Sequence, residues 1–111
     1  MRSPAAEDLQ LRLLNIRADL AERMGEGAQT LALRRTALEF AGAKQGRNSA
    51  AVAATGLALA ESLLQLGHAQ LAKQELQRVL LLMGRLQVSG SADRRKVEGL
   101  LLLAEQNLAG R

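Results

Sequence analysis

Apolar side chains recur along this chain at the three- and four-residue steps of an α-helix, not at the alternate positions of a half-buried strand. The clearest case lies near the N-terminus, where one apolar row advances by steps of four, three, four and four residues. We call this row the N-terminal stripe; it consists of Leu9, Leu13, Ile16, Leu20 and Met24. Glycine and small polar residues separate this segment from similar ones, so the pattern predicts five helices, at about 4–24, 28–44, 50–66, 68–87 and 92–108.

The residues at the helix ends predict short connections. Ser3 and Ser91 are expected N-caps, and Gly25 and Gly67 are expected to end the first and third helices. Short connections make consecutive helices pack antiparallel. The composition agrees, because 48% of the residues are apolar, Leu and Ala dominate, and the single proline is Pro4. We therefore predict one all-α domain over 1–111, an antiparallel helix-hairpin stack.

A repeat groups these helices in pairs. Gly25 and Gly67 are 42 residues apart, and Gly67 and Gly110 are 43 apart. Segment 56–84 carries small and large residues at the spacing of a tetratricopeptide repeat, namely Gly56, Leu59, Ala60, Leu63, Ala72, Leu76 and Gly84. The segment resembles that family, and the long period is similar to its kinesin light chain type. The resemblance implies about two and a half repeats.

The first unit departs from the family pattern, because Arg17 and Arg34 occupy its Leu and Phe positions. The aromatic and proline signatures are absent, so a generic hairpin stack or a bundle of four or five helices stays open as an alternative. In tetratricopeptide arrays the first helix of each pair lines a concave groove. The resemblance therefore implies a partner-binding surface on helices three and five, formed by Leu57, Glu61, Gln65, Val97, Leu100, Leu101, Ala104 and Leu108.

Two apolar runs, Val79–Met83 and 100–103, make a separate demand on the fold. Consecutive helical residues are about 100° apart, so such a run reaches nearly every side of its helix. Helix four should therefore be central, and the outer leucines of helix five should need a cover. We expect that cover to be a partner helix or a second copy of the chain in a homodimer. The alternative is that helices three and four enclose helix five completely.

The charge pattern does not favour nucleic acid. Fifteen Lys and Arg stand against eleven Asp and Glu, a net charge of +4, and acidic residues lie among the basic ones. The basic clusters are Arg34-Arg35 and 94–96, and no Trp or Tyr offers a stacking platform for single strands. Apolar runs of five residues are far too short for a membrane span. With no signal peptide pattern, we expect a cytoplasmic protein.

Candidate chemistry is sparse. The chain has no cysteine and one histidine, His68, and Ser62 is too far along the hairpin to form a triad with it. Asp19, Glu22 and Glu26 share a helix face, but one helix rarely supplies a metal cage, so they predict a solvated acidic stripe. The glycines form no phosphate loop or dinucleotide fingerprint. We therefore expect no enzyme activity, cofactor or metal.

These observations together predict a tetratricopeptide-like interaction module, an adaptor, scaffold or small chaperone such as those of bacterial secretion systems. The alternative from another class is an oligomerisation or sensory domain of a larger regulator that contacts nucleic acid through its Arg and Lys clusters.

Overall fold

The computed structural model describes residues 4–86 and 92–110. It is all-helical: 88% of the described residues are in five helices, and none of these residues lies in a strand. The helices are α1 (Pro4–Arg23), α2 (Gly27–Gln45), α3 (Ala50–Gln65), α4 (Ala69–Arg85) and α5 (Ala92–Ala109). Their ends differ from the expected ones by at most two residues. The predicted caps Ser3 and Ser91 lie outside the described residues.

Glycines in the left-handed region end α1 and α3. Gly25 has φ 74° and Gly67 has φ 84°, a conformation that costs glycine little because it has no Cβ. After α3, the His68 N–H donates to the Leu63 carbonyl at 2.8 Å and the Gly67 N–H donates to the Leu64 carbonyl at 3.1 Å. The same pair of bonds follows α1. These bonds satisfy carbonyls at the helix end and reverse the chain within three residues.

Each helix packs against its neighbours in sequence, which produces the predicted hairpin stack: α1 on α2, α2 on α3, α3 on α4 and α4 on α5. The α3–α4 contact is formed around small residues. Ala60 and Ala72 are fully buried there, so the two backbones can approach, and three leucines fill the space beside them. These leucines are Leu59, Leu63 and Leu76.

Helix α4 is flanked by α3 and α5, in line with its apolar run. Val79, Leu82 and Met83 are buried in the core cluster that joins these three helices. Leu81 is exposed, because the α3 and α5 contacts cover only part of the circumference that five consecutive residues reach. None of the described helices combines the length and hydropathy that a bilayer crossing requires.

Helix α1 differs from the usual amphipathic arrangement, in which the most apolar row faces the core. It buries Leu11, Ala18 and Ala21 against α2 and leaves the whole N-terminal stripe outside. The two faces are about 140° apart at 100° per residue. The small alanines allow α2 to approach closely, and an ion pair between Asp19 on α1 and Arg34 on α2 also joins the two helices. The larger apolar side chains are left on the free surface.

Candidate protein-binding surfaces

The predicted site residues on α3 and α5 divide into a groove and a buried layer. Glu61, Gln65 and Leu100 line a shallow groove between the two helices with a volume of about 240 Å³. Sequence reasoning did not place three further lining residues there, namely Leu64, Leu103 and Asn107. The apolar part of this α3–α5 groove consists of leucines, and its rim carries amides and one carboxylate.

The remaining predicted residues support the groove more than they line it. Val97 and Ala104 are fully buried in the core that α5 shares with α4, so a partner cannot contact them in this structure. Leu57 and Leu101 are half-buried against the same core, and Leu108 is half-buried farther along α5. The 3.6-residue period explains the division, since Val97, Leu101 and Ala104 share the inner face of α5.

An ion pair joins the two helices at one end of the α3–α5 groove. Lys96 Nζ on α5 lies 3.3 Å from Glu61 Oε1 on α3, and both side chains are partly exposed. The direct contact between α3 and α5 is otherwise small, because α4 lies between them. Leu103, which lines the groove, is 45% exposed, and the adjacent Leu102, outside the lining, is 57% exposed. The outer face of α5 is therefore not enclosed within the chain.

A second apolar surface lies at the other end of the stack. All five residues of the N-terminal stripe are between 51% and 64% exposed. They form one row from Leu9 in α1 to Met24 just after it, about 22 Å at 1.5 Å per residue. The row itself is visible in the sequence, but the direction in which it faces is not.

The acidic residues of α1 have a structural partner that the sequence did not reveal. Arg34 on α2 is buried, and its Nη2 lies 2.6 Å from Asp19 Oδ1 and 3.9 Å from Glu22 Oε2. Its Nε also donates to Ser62 Oγ on α3 at 3.2 Å. Arg34 thus ties three helices together at the position where the resembled family carries Phe. Asp19 and Glu22 neutralise this guanidinium and do not form a purely solvated stripe.

The contacts of Arg34 also bear on the possible Ser62–His68 pair and on phosphate binding. Ser62 is buried and bonded to Arg34, whereas His68 is exposed at the start of α4, so the two do not form a catalytic pair. No group of three or more acidic or histidine residues in the described parts of the chain could hold a metal ion. Arg34 is buried and ion-paired, so it cannot contact a phosphate in this structure.

A cavity of about 600 Å³ lies between α2, α3 and α4. We call it the α2–α4 cavity; its apolar lining includes Leu38, Val52, Val79 and Leu82. Glu75 lies in its wall with a buried carboxylate, paired with Arg78 Nη1 at 3.3 Å. Burial raises the pKa of the Glu75 carboxyl, and the Arg78 guanidinium opposes that rise.

Comparison with known proteins finds no family model that matches this chain and no match among the curated proteins. The assignment of its surfaces therefore depends on the geometry described above.

Proposed function

We propose that this protein is an interaction module, an adaptor, scaffold or small chaperone, that holds an amphipathic helix of a partner protein against its α3–α5 groove. The observation that carries the proposal is the exposure of Leu102 and Leu103 beside a groove whose wall also contains Leu64 and Leu100. Neighbouring leucines exposed beside a concave site are typical of a surface that another protein covers.

The shape of the groove supports a helix as the ligand. Its volume of about 240 Å³ suits one or two apolar side chains, as when a helix inserts residues from one face. Gln65 and Asn107 lie at the rim, where their amides can bond to polar groups that flank such a row. Val97 and Ala104 hold α5 in place from below, so the surface is preformed.

A tetratricopeptide-like arrangement is part of the proposal. It is supported by the close α3–α4 contact, in which Ala60 and Ala72 are fully buried at the positions where the family carries small residues. In that arrangement α3 and α5 are equivalent helices of successive units, which makes the groove between them the expected ligand site.

Photo-crosslinking tests the proposal. A photoreactive residue at position 103, introduced into the full chain in the cells that express it, should crosslink a partner. Position 105 is the matched control, because Glu105 is also exposed but lies about 160° around α5 from Leu103. The crosslinked partner is then purified. Leu103→Glu should weaken its binding at least tenfold, whereas Glu105→Ala should leave it unchanged.

Two results would overturn this function: equal crosslinking at both positions or at neither, and full affinity for the partner after Leu103→Glu. The regulator alternative with nucleic-acid contact stays a prediction. Of the five residues in its basic clusters, three are engaged within the chain: Arg34 is buried, while Arg94 and Lys96 are ion-paired with Glu98 and Glu61. The other two, Arg35 and Arg95, are exposed.

A further inference from the structure

The N-terminal stripe needs a different occupant, because it lies at the α1 end of the stack and the α3–α5 groove lies at the other. We propose that two copies of this chain associate through α1, with their N-terminal stripes packed antiparallel about a two-fold axis. This inference does not depend on the partner helix proposed for the α3–α5 groove.

The apolar spacing fits such a helix pair. Leu9, Leu13, Ile16 and Leu20 follow steps of four, three and four, which is the alternation of a and d positions along a coiled-coil seam. In one antiparallel register Leu9 lies opposite Leu20 of the other copy, and Leu13 lies opposite Ile16. The symmetry then repeats both contacts, so the four apolar residues of each copy are covered.

The charges beside the stripe select the antiparallel direction. Asp8, Arg12, Asp19 and Arg23 lie along one edge of the stripe, within about 60° of the helix surface. In the register set by the leucines, Arg12 lies within about 3 Å of axial rise of Asp19 of the other copy, and Asp8 lies equally near Arg23. The edge is therefore complementary to itself when reversed. Asp19 can accept this contact because its side chain is 56% exposed even with Arg34 bound.

In a parallel pair, charges of the same sign would lie beside the seam. The contacts beside a parallel seam join a residue to the one five positions later on the other helix. They would place Arg12 near Arg17 of the second copy, and the symmetry would repeat this repulsion. The charge order thus favours a second, reversed copy of α1 over a parallel one.

The size of the stripe agrees with a stable dimer. Four apolar side chains of α1, with Met24 just after it, are each more than half exposed and extend over about four turns. Two such rows with their charged edges bury on the order of 1,000 Å² in total, which is about the lower limit for a specific interface. A dimer with a Kd in the micromolar range is expected, and the edge contacts should make it weaker in high salt.

Light scattering of the purified full chain across a concentration series, coupled to size-exclusion chromatography, tests association. The wild type should shift from monomer to dimer. Ile16→Glu should raise the dimer Kd at least a hundredfold while the circular dichroism spectrum stays unchanged. Leu81→Glu and Leu102→Glu are matched controls, because they add the same charge at exposed positions on α4 and α5, and both should still dimerise.

Charge exchange tests the direction. Asp8→Arg alone and Arg23→Asp alone should each raise the Kd about tenfold, because each places like charges together twice. The double variant should recover most of the wild-type affinity. Since the chain has no cysteine, disulfide trapping can be added directly. A mixture of Leu9→Cys and Leu20→Cys chains should form a disulfide between the two kinds of chain, whereas Leu9→Cys alone should not form disulfide-linked dimers.

A wild-type chain that stays monomeric at about 0.5 mM, about five hundred times a Kd of 1 μM, overturns the inference and leaves the stripe to a different protein. Dimers that survive Ile16→Glu but are lost with Leu102→Glu would place the contact on α5. Crosslinking of Leu9→Cys to itself would show a parallel pair. Each of these results would exclude the antiparallel α1 pair. Photo-crosslinking at position 103 tests the α3–α5 groove separately, so the failure of one proposal is distinguishable from the failure of the other.

Discussion

The Arg34 network permits an asymmetric prediction about stability. Arg34 is 8% exposed, whereas its nearest carboxylate, Asp19, is more than half exposed. Asp19→Asn removes the charge that lies 2.6 Å from a buried guanidinium, but Arg34→Met leaves carboxylates that water can reach. We therefore expect Asp19→Asn to be less stable than Arg34→Met, although Arg34 is the buried partner.

The magnitude follows from the distances. At an effective dielectric constant of about 20, unit charges roughly 4 Å apart attract by about 4 kcal/mol. Glu22, now 3.9 Å from Arg34, can move closer and recover part of this, so Asp19→Asn should cost about 2 kcal/mol. Arg34→Met loses the Ser62 hydrogen bond, about 1 kcal/mol, because the freed Ser62 hydroxyl can donate to a carbonyl one turn earlier in its own helix. The double variant should match Arg34→Met, because the buried charge has gone.

The assay is urea unfolding followed by circular dichroism at 222 nm. All variants are made in the Ile16→Glu background, so that the α1 association proposed above does not contribute. In thermal unfolding followed by the same signal, a loss of about 2 kcal/mol in a chain of 111 residues should lower Tm by roughly 8 °C. Glu98→Gln is the control, since its pair with Arg94 is solvent-exposed and should contribute less than about 0.5 kcal/mol. If Arg34→Met proved less stable than Asp19→Asn, the reasoning would be refuted.

Three further predictions concern the stack itself. Gly56→Ala should lower Tm by several degrees, because a Cβ there would lie 2.8 Å from the buried Val79 Cγ2. Gly27→Ala should keep or raise Tm, because its Cβ would lie 2.9 Å from the Leu66 side chain, which is exposed and can move. Glu75→Gln should raise Tm at pH 7, and this advantage should disappear towards pH 4. The reason is that burial raises the pKa of the Glu75 carboxyl, so the folded state loses stability as the pH rises above the ordinary glutamate pKa. A thermal scan at several pH values measures it, and an advantage that grows towards low pH would contradict it. Ser49→Ala should cost about 1 kcal/mol in urea unfolding, because Ser49 Oγ caps α3 by accepting from the Val52 N–H at 3.2 Å; an unchanged midpoint would show that the cap contributes nothing.

The secondary structure of this protein can be predicted from its sequence alone, because the signals for helices and turns are local. The apolar period, Gly25 and Gly67 and the absence of internal proline predict five helices with short turns, and short turns leave little choice but an antiparallel stack. The burial of Leu59, Ala60, Leu63, Ala72 and Leu76 also followed, since small residues with leucines beside them indicate where two helices approach each other.

The apolar face that each helix buries depends on packing between helices and could not be predicted from the sequence. Helix α1 has two candidate faces, and the larger side chains of the N-terminal stripe gave the stronger sequence signal. The chain nevertheless buries Leu11, Ala18 and Ala21, because small side chains allow α2 to approach and Arg34 on α2 reaches Asp19 beside them. That choice depends on the shape and charge of a surface 15 residues away in the sequence, which the periodicity of one helix does not contain.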